Sequence, residues 1–86
     1  MESYNIEFSP EADRFLDKTD LKTSLRIVKA IRKLSATPKP PGCRKMKGSD
    51  ADYRIRIGDY RVIYEIKKKV LMIYVIRIGH RKNIYR

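Results

Sequence analysis

Residues 53–64 read Tyr53-Arg54-Ile55-Arg56-Ile57-Gly58-Asp59-Tyr60-Arg61-Val62-Ile63-Tyr64. Tyr53, Ile55 and Ile57 alternate with Arg54 and Arg56. Successive side chains of a β-strand point to opposite faces of a sheet. The first half of the stretch is therefore a strand with an apolar face and an arginine face. Gly58-Asp59 is a tight hairpin turn. The chain returns as a second strand, whose apolar residues are interrupted by Arg61. Three strand-like runs are expected in this half of the chain, at about 52–57, 60–67 and 70–78. Lys67–Lys69 forms a solvated turn between the last two.

Working towards the N-terminus, residues 37–43, TPKPPGC, hold three prolines and a glycine. They end the preceding helical pattern and form a stiff, extended connector. Leu21, Leu25, Val28, Ile31 and Leu34 recur at three- and four-residue spacing, so residues 21–36 are expected to form an amphipathic helix with those residues in the core. Thr19-Asp20 starts it. Ahead of it, Ser9-Pro10-Glu11 opens a shorter helix that runs to Lys18. Serine accepts from an orphan amide, proline suits the first helical position, and glutamate favours the positive helix end. Ala12, Phe15 and Leu16 share one side of that helix. The short link between the helices predicts an antiparallel hairpin. Tyr4, Ile6 and Phe8 alternate with polar residues as a half-buried strand. The order is β-α-α-β-β-β. This is an α+β fold: a helical hairpin packed on one face of a four-stranded, mainly antiparallel sheet, with the other face left open.

The 86 residues make one domain, 1–86, with 42% hydrophobic and 36% charged residues. The charged residues are too well interleaved with Ile, Val and Leu for disorder. Cys43 is the only cysteine, which excludes an internal disulfide and a zinc-finger type of metal site. No cofactor is expected. The N-terminal residues have no apolar signal core. Val70–Ile78 is too short to span a bilayer and contains Arg77. A soluble, cytoplasmic protein is expected, with no membrane partner.

The net charge is +11, and it is unevenly placed. Residues 54–86 hold ten lysines and arginines against Asp59 and Glu65 alone, whereas residues 1–36 are nearly balanced. A field of this kind attracts a polyanion, RNA foremost. Lys45, Lys47, Arg77 and Lys82 are the candidate RNA-binding residues around the arginine strand.

The run KMKGSDADYRIRIGDYRVIYEI, followed by VIRIGHRKNIYR, resembles the RelE/ParE superfamily of bacterial and archaeal toxins. It is most similar to the RelE branch, the ribosome-dependent mRNA interferases. The resemblance covers essentially the whole chain, and its specific part is residues 45–85. It implies a RelE-like, microbial-ribonuclease type of fold and a toxin of a type II toxin–antitoxin system. That toxin would cut mRNA in the ribosomal A site without a metal. It also implies an acidic or amphipathic, RelB-like antitoxin, with the ribosome and mRNA as further partners. Residue by residue, Arg54 and Arg56 would hold the phosphate, and Arg61 would stabilise the transition-state charge. Arg81 would assist the leaving group, and Tyr85 would help activate the nucleophile. At positions 54 and 56 arginine stands where the best-known RelE has lysine, and His80 stands beside Arg81 in place of another base.

The residues themselves suit that chemistry. RNA carries its own nucleophile, the 2′-hydroxyl, and arginine forks bind phosphate oxygens in pairs while staying charged. Arginine is a poor proton donor, so Tyr85 and His80 both stay open as proton-transfer groups. His80 also reads as a structural residue, because Arg81 beside it faces the other way. Two other functions fit the same scaffold: a ParE-like inhibitor of DNA gyrase without nuclease activity, and a non-catalytic RNA- or ribosome-binding module. The joint presence of Arg54, Arg56, Arg61, Arg81 and Tyr85 favours the nuclease.

Overall fold

A computed structural model describes residues 3–48 and 52–82. The chain runs β1 (Asn5–Phe8), α1 (Pro10–Lys18), α2 (Leu21–Arg32), a 3-10 turn (Lys33–Ser35), β2 (Arg44–Lys45), β3 (Asp52–Ile57), β4 (Tyr60–Lys67) and β5 (Met72–His80). The strands form one sheet in the order β1-β5-β4-β3-β2. β1 lies parallel to β5, and the other neighbours are antiparallel. The α+β architecture stands as expected. A fifth strand, the two-residue β2, adds itself to the four foreseen.

The start signals work as their residue types require. Ser9 caps α1, its Oγ accepting from the Ala12 N–H at 3.1 Å with Pro10 next in the chain. The same hydroxyl donates to the Ile76 carbonyl at 2.7 Å, which ties the helix start to β5. Ile76 is the extra residue of a bulge, since Ile63 pairs with Arg77 but Tyr64 with Val75. Asp20 caps α2 by accepting from the Thr23 N–H at 3.0 Å. That bond holds the Asp20 carboxyl below its ordinary pKa. Where the helices meet, the Ser24 hydroxyl donates to the Leu16 carbonyl at 2.8 Å.

The core lies between the helices and one face of the sheet. Ala12, Ile27, Ile31 and Leu34 meet Ile55, Val62, Tyr64, Ile73, Val75 and Ile78 there. This corrects the expected helix face. Leu21 and Leu25 are 74% and 60% exposed, Val28 is only half-buried, and Ile27 is fully buried in their place. The inward stripe of α2 runs through Ser24, Ile27, Ile31 and Leu34. Its polar member is tolerated because the Ser24 hydroxyl has carbonyl partners on α1 and at Thr19. The α-helix also ends earlier than residue 36, at Arg32, and tightens into the 3-10 turn.

Tyr64 anchors the connector. It is fully buried, and its hydroxyl donates to the Pro38 carbonyl at 2.7 Å. Burial, reinforced by Cys43 beside it, pushes the Tyr64 phenol well above its usual pKa. A group whose pKa is raised by folding adds stability below its unfolded value, about 10 for tyrosine. That stability is lost as pH climbs from there towards the folded value. Wild-type chain should therefore lose stability steeply above about pH 10, and Tyr64→Phe should lose less over the same range. Denaturant midpoints of the two proteins from pH 8 to pH 11 measure the difference. Parallel curves would remove the assignment to Tyr64.

Candidate active site on the open sheet face

Register places the candidate residues in rows across the sheet. Arg56 pairs with Arg61, and Arg61 with Gly79. One row inward, Arg44 pairs with Arg54, and Arg54 with Ile63. These residues alternate with the buried Tyr53, Ile55, Ile57, Val62 and Tyr64, so they occupy the face away from the helices. Directly opposed residues on one face have Cβ atoms about 4.5–5.5 Å apart. A third row, Asp52, Glu65 and Tyr74, brings carboxylates to the same face. The open face therefore grades from acidic at that row to cationic at the Gly58–Asp59 turn.

Arg61 sits at the centre of the cationic end and is 9% exposed. Its Nη1 donates to the Tyr60 carbonyl at 3.3 Å. Among the described residues it has no carboxylate partner, so neither Asp59 nor Glu65 neutralises it. Gly79 across from it carries no side chain and is itself buried. Arg81 joins this end through the turn: its N–H donates to the Asp59 carbonyl at 2.8 Å, and its Nε lies 3.9 Å from the Asp59 carboxylate. Both side chains of that pair are more than half exposed, so the pair is weak and Arg81 can leave it for an anion. Tyr85 lies outside the described residues.

The other candidates are placed apart. His80 is the register partner of Tyr60 on the helix side of the sheet, with their rings 5.7 Å apart edge to face. Tyr60 in turn meets Phe15 of α1 at 6.0 Å. The His80 Nδ1 accepts from the Lys82 N–H at 3.3 Å, so His80 braces the end of β5 away from the arginines. Arg77 reaches Glu11 of α1, Nε to Oε2, at 2.7 Å. Lys45 pairs with Tyr53 and so takes the helix-side face of β2. Lys47 follows in an exposed turn, and Lys82 is exposed beyond β5. Arg44 was missed by the residue pattern. It shares the open face with Arg54 and Arg56, and its only signal is its position one residue ahead of Lys45.

Among the described residues no group of His, Cys, Asp and Glu is arranged to hold a metal ion, and no helix is long and apolar enough to cross a membrane. What the open face offers is fixed positive charge with directional N–H donors. It suits a phosphate, and above all one that gains charge during reaction.

Residues 6–85 match the family model of the ParE toxin of the parDE type II toxin–antitoxin system. The chain belongs to this toxin family. Within the RelE/ParE superfamily it falls in the RelE-like branch. It is 29% identical to the toxin RelG of Mycobacterium tuberculosis over 84 residues, covering 96% of this chain and 97% of that one. The RelE-like fold recurs in the RelE–RelB complex of Pyrococcus horikoshii, with a TM-score of 0.82 at 24% identity, covering 94% of this chain and 98% of that one. The RelB–RelE complex of Methanococcus jannaschii gives a TM-score of 0.72 at 26% identity, over 92% and 94% of the two chains.

Proposed function

We propose that this RelE-like toxin is a metal-independent endoribonuclease that cuts mRNA in the ribosomal A site and so stops translation in the cytoplasm. The observation that carries the reading is Arg61: a nearly buried arginine without a carboxylate partner among the described residues, directly across from Arg56 on the sheet face away from the helices. A charge held this far from water is costly unless an anion comes to it.

The reaction needs few groups. The 2′-hydroxyl attacks the adjacent phosphorus and gives up its proton to a base. The 5′ oxygen leaves and takes a proton from an acid. The products are a 2′,3′-cyclic phosphate and a 5′-hydroxyl. Arg54 and Arg56 hold the phosphate, and Arg61 stabilises the extra charge of the five-coordinate phosphorane. Arg81, free to swing from Asp59, follows the leaving oxygen, and Tyr85 serves as the base. Cations around a phenol favour its ionised form, which makes that role chemically reasonable. His80 faces the other side of the sheet and is left with a structural role. A site with strong charge and weak bases is slow on free RNA; alignment of the mRNA by the ribosome supplies what it lacks.

The solved complexes of similar toxins with RelB support a cognate antitoxin for this chain as well. Its chemistry should be acidic or amphipathic, because the surface it must silence is cationic. The match to the ParE model keeps one other function in view, a toxin that blocks DNA gyrase without cutting RNA. Inducing the chain in cells and mapping 5′-hydroxyl mRNA ends separates the two. Cuts within translated codons support the nuclease, and growth arrest without them supports the gyrase-type toxin.

A further inference from the structure

The open face carries a second basic feature beside the Arg56–Arg61 pair. A cleft of about 250 Å3 is lined by Gly42, Arg44, Arg54 and Arg56. Gly42 has a φ of +90°, a backbone shape that favours glycine, and an added Cβ would meet nothing within 4 Å. The bend at Gly42 follows the Pro40-Pro41 pair, whose turn is closed by the Cys43 N–H donating to the Pro40 carbonyl at 3.1 Å. That turn delivers Arg44 to β3 in register with Arg54. Two like charges directly opposed across a strand pair destabilise the sheet. Arg44 is exposed and, among the described residues, meets no carboxylate, and the same holds for Arg56. A phosphate in the cleft would meet the guanidinium forks of Arg44 and Arg56, to which no described carboxylate is bound.

We propose that Arg44, with Arg54 and Arg56, forms a second phosphate subsite that takes a phosphodiester of the bound RNA strand next to the scissile one. Arg56 is shared: one side of it faces Arg61, the other lines the cleft. The strand's backbone then runs across the sheet from the β4–β5 end towards β2, over the cationic rows and away from Asp52 and Glu65. Arg44 is a positioning residue here. It sets which nucleotide lies over Arg61 and takes no part in bond breaking. This rests on the RNA-cutting reading, so the test is built to fail separately from it.

The probe is a short single-stranded RNA with 2′-O-methyl groups throughout, which binds but cannot be cut, in a set with one methylphosphonate replacing each phosphate in turn. Binding of wild-type chain, Arg44→Ala, Arg44→Lys and Lys29→Ala is measured across a salt series. Lys29 is exposed on α2 and controls for loss of one charge. Each phosphate neutralised on a single strand contributes about 0.7 to the slope of log affinity against log salt. The expected result is a slope about 0.7 shallower for Arg44→Ala and unchanged for Lys29→Ala. One methylphosphonate position should weaken wild-type chain several-fold and leave Arg44→Ala unaffected. Arg44→Lys should keep the slope and lose part of the affinity, since it keeps charge but not the fork. Equal slopes and equal methylphosphonate patterns for wild type and Arg44→Ala would overturn the subsite, as would a wild-type chain that does not bind the RNA. Arg44-dependent binding by a chain that makes no cuts in cells keeps the subsite and removes the nuclease reading. Cuts in cells with an Arg44-independent slope do the reverse.

Discussion

Replacing Arg61 by alanine should lower mRNA cleavage on programmed ribosomes by about 100- to 1,000-fold, the usual loss when one preorganised transition-state donor is removed. The fold should survive. Arg61 stands on the open face, makes one hydrogen bond of 3.3 Å to its own neighbour's carbonyl, and has no ion pair among the described residues. The residue is 9% exposed, so a stability loss of about 1 kcal/mol is expected and not more. Arg61→Lys should fall between the two, keeping the charge and losing the paired donors. Single-turnover cleavage rates beside thermal midpoints separate chemistry from folding. A rate within a few-fold of wild type at an unchanged midpoint would remove Arg61 from the site.

Ile27→Ala should cost about 2–5 kcal/mol, the range for emptying a packed aliphatic position. Ile27 is fully buried between α2 and the sheet. In a domain of this size, each kcal/mol moves the thermal midpoint by about 4–8 °C, so the loss should exceed about 8 °C. Leu25→Ala, two residues away, should stay within about 0.5 kcal/mol of wild type because Leu25 is 60% exposed. The pair tests which stripe of α2 faces the core. Equal losses at the two positions would mean that the helix is turned differently from the structure described above.

The two cases show what the residues alone could and could not reveal. On α2, two stripes compete at helical spacing. The leucine stripe, Leu21-Leu25-Val28, is uniformly apolar, while the true inward stripe is interrupted by Ser24. The carbonyls of Leu16, on another helix, and of Thr19 make that serine acceptable inside. Strict alternation in Tyr53–Ile57 left no such choice, and β3 and its arginine face follow from the sequence directly. The Gly58-Asp59 turn then set the register that opposes Arg56 to Arg61. β2 was illegible because two residues are too few to show a period, and with it went the distinction between Arg44 and Lys45. The fold separates the two by the face that each takes. The pairing of Arg77 with Glu11 joins residues 66 positions apart, and no local pattern announces it. The face that His80 takes follows a simpler rule: the register partner of Tyr60 faces the helices with it.

The most direct test of the central claim is primer extension on mRNA from cells expressing the wild-type chain, Arg61→Ala or Arg81→Ala. The account predicts new 5′-hydroxyl ends inside translated codons with the wild-type chain, lost in both variants while their folded proteins accumulate to the same level. Growth arrest by the wild-type chain with no such ends would contradict it.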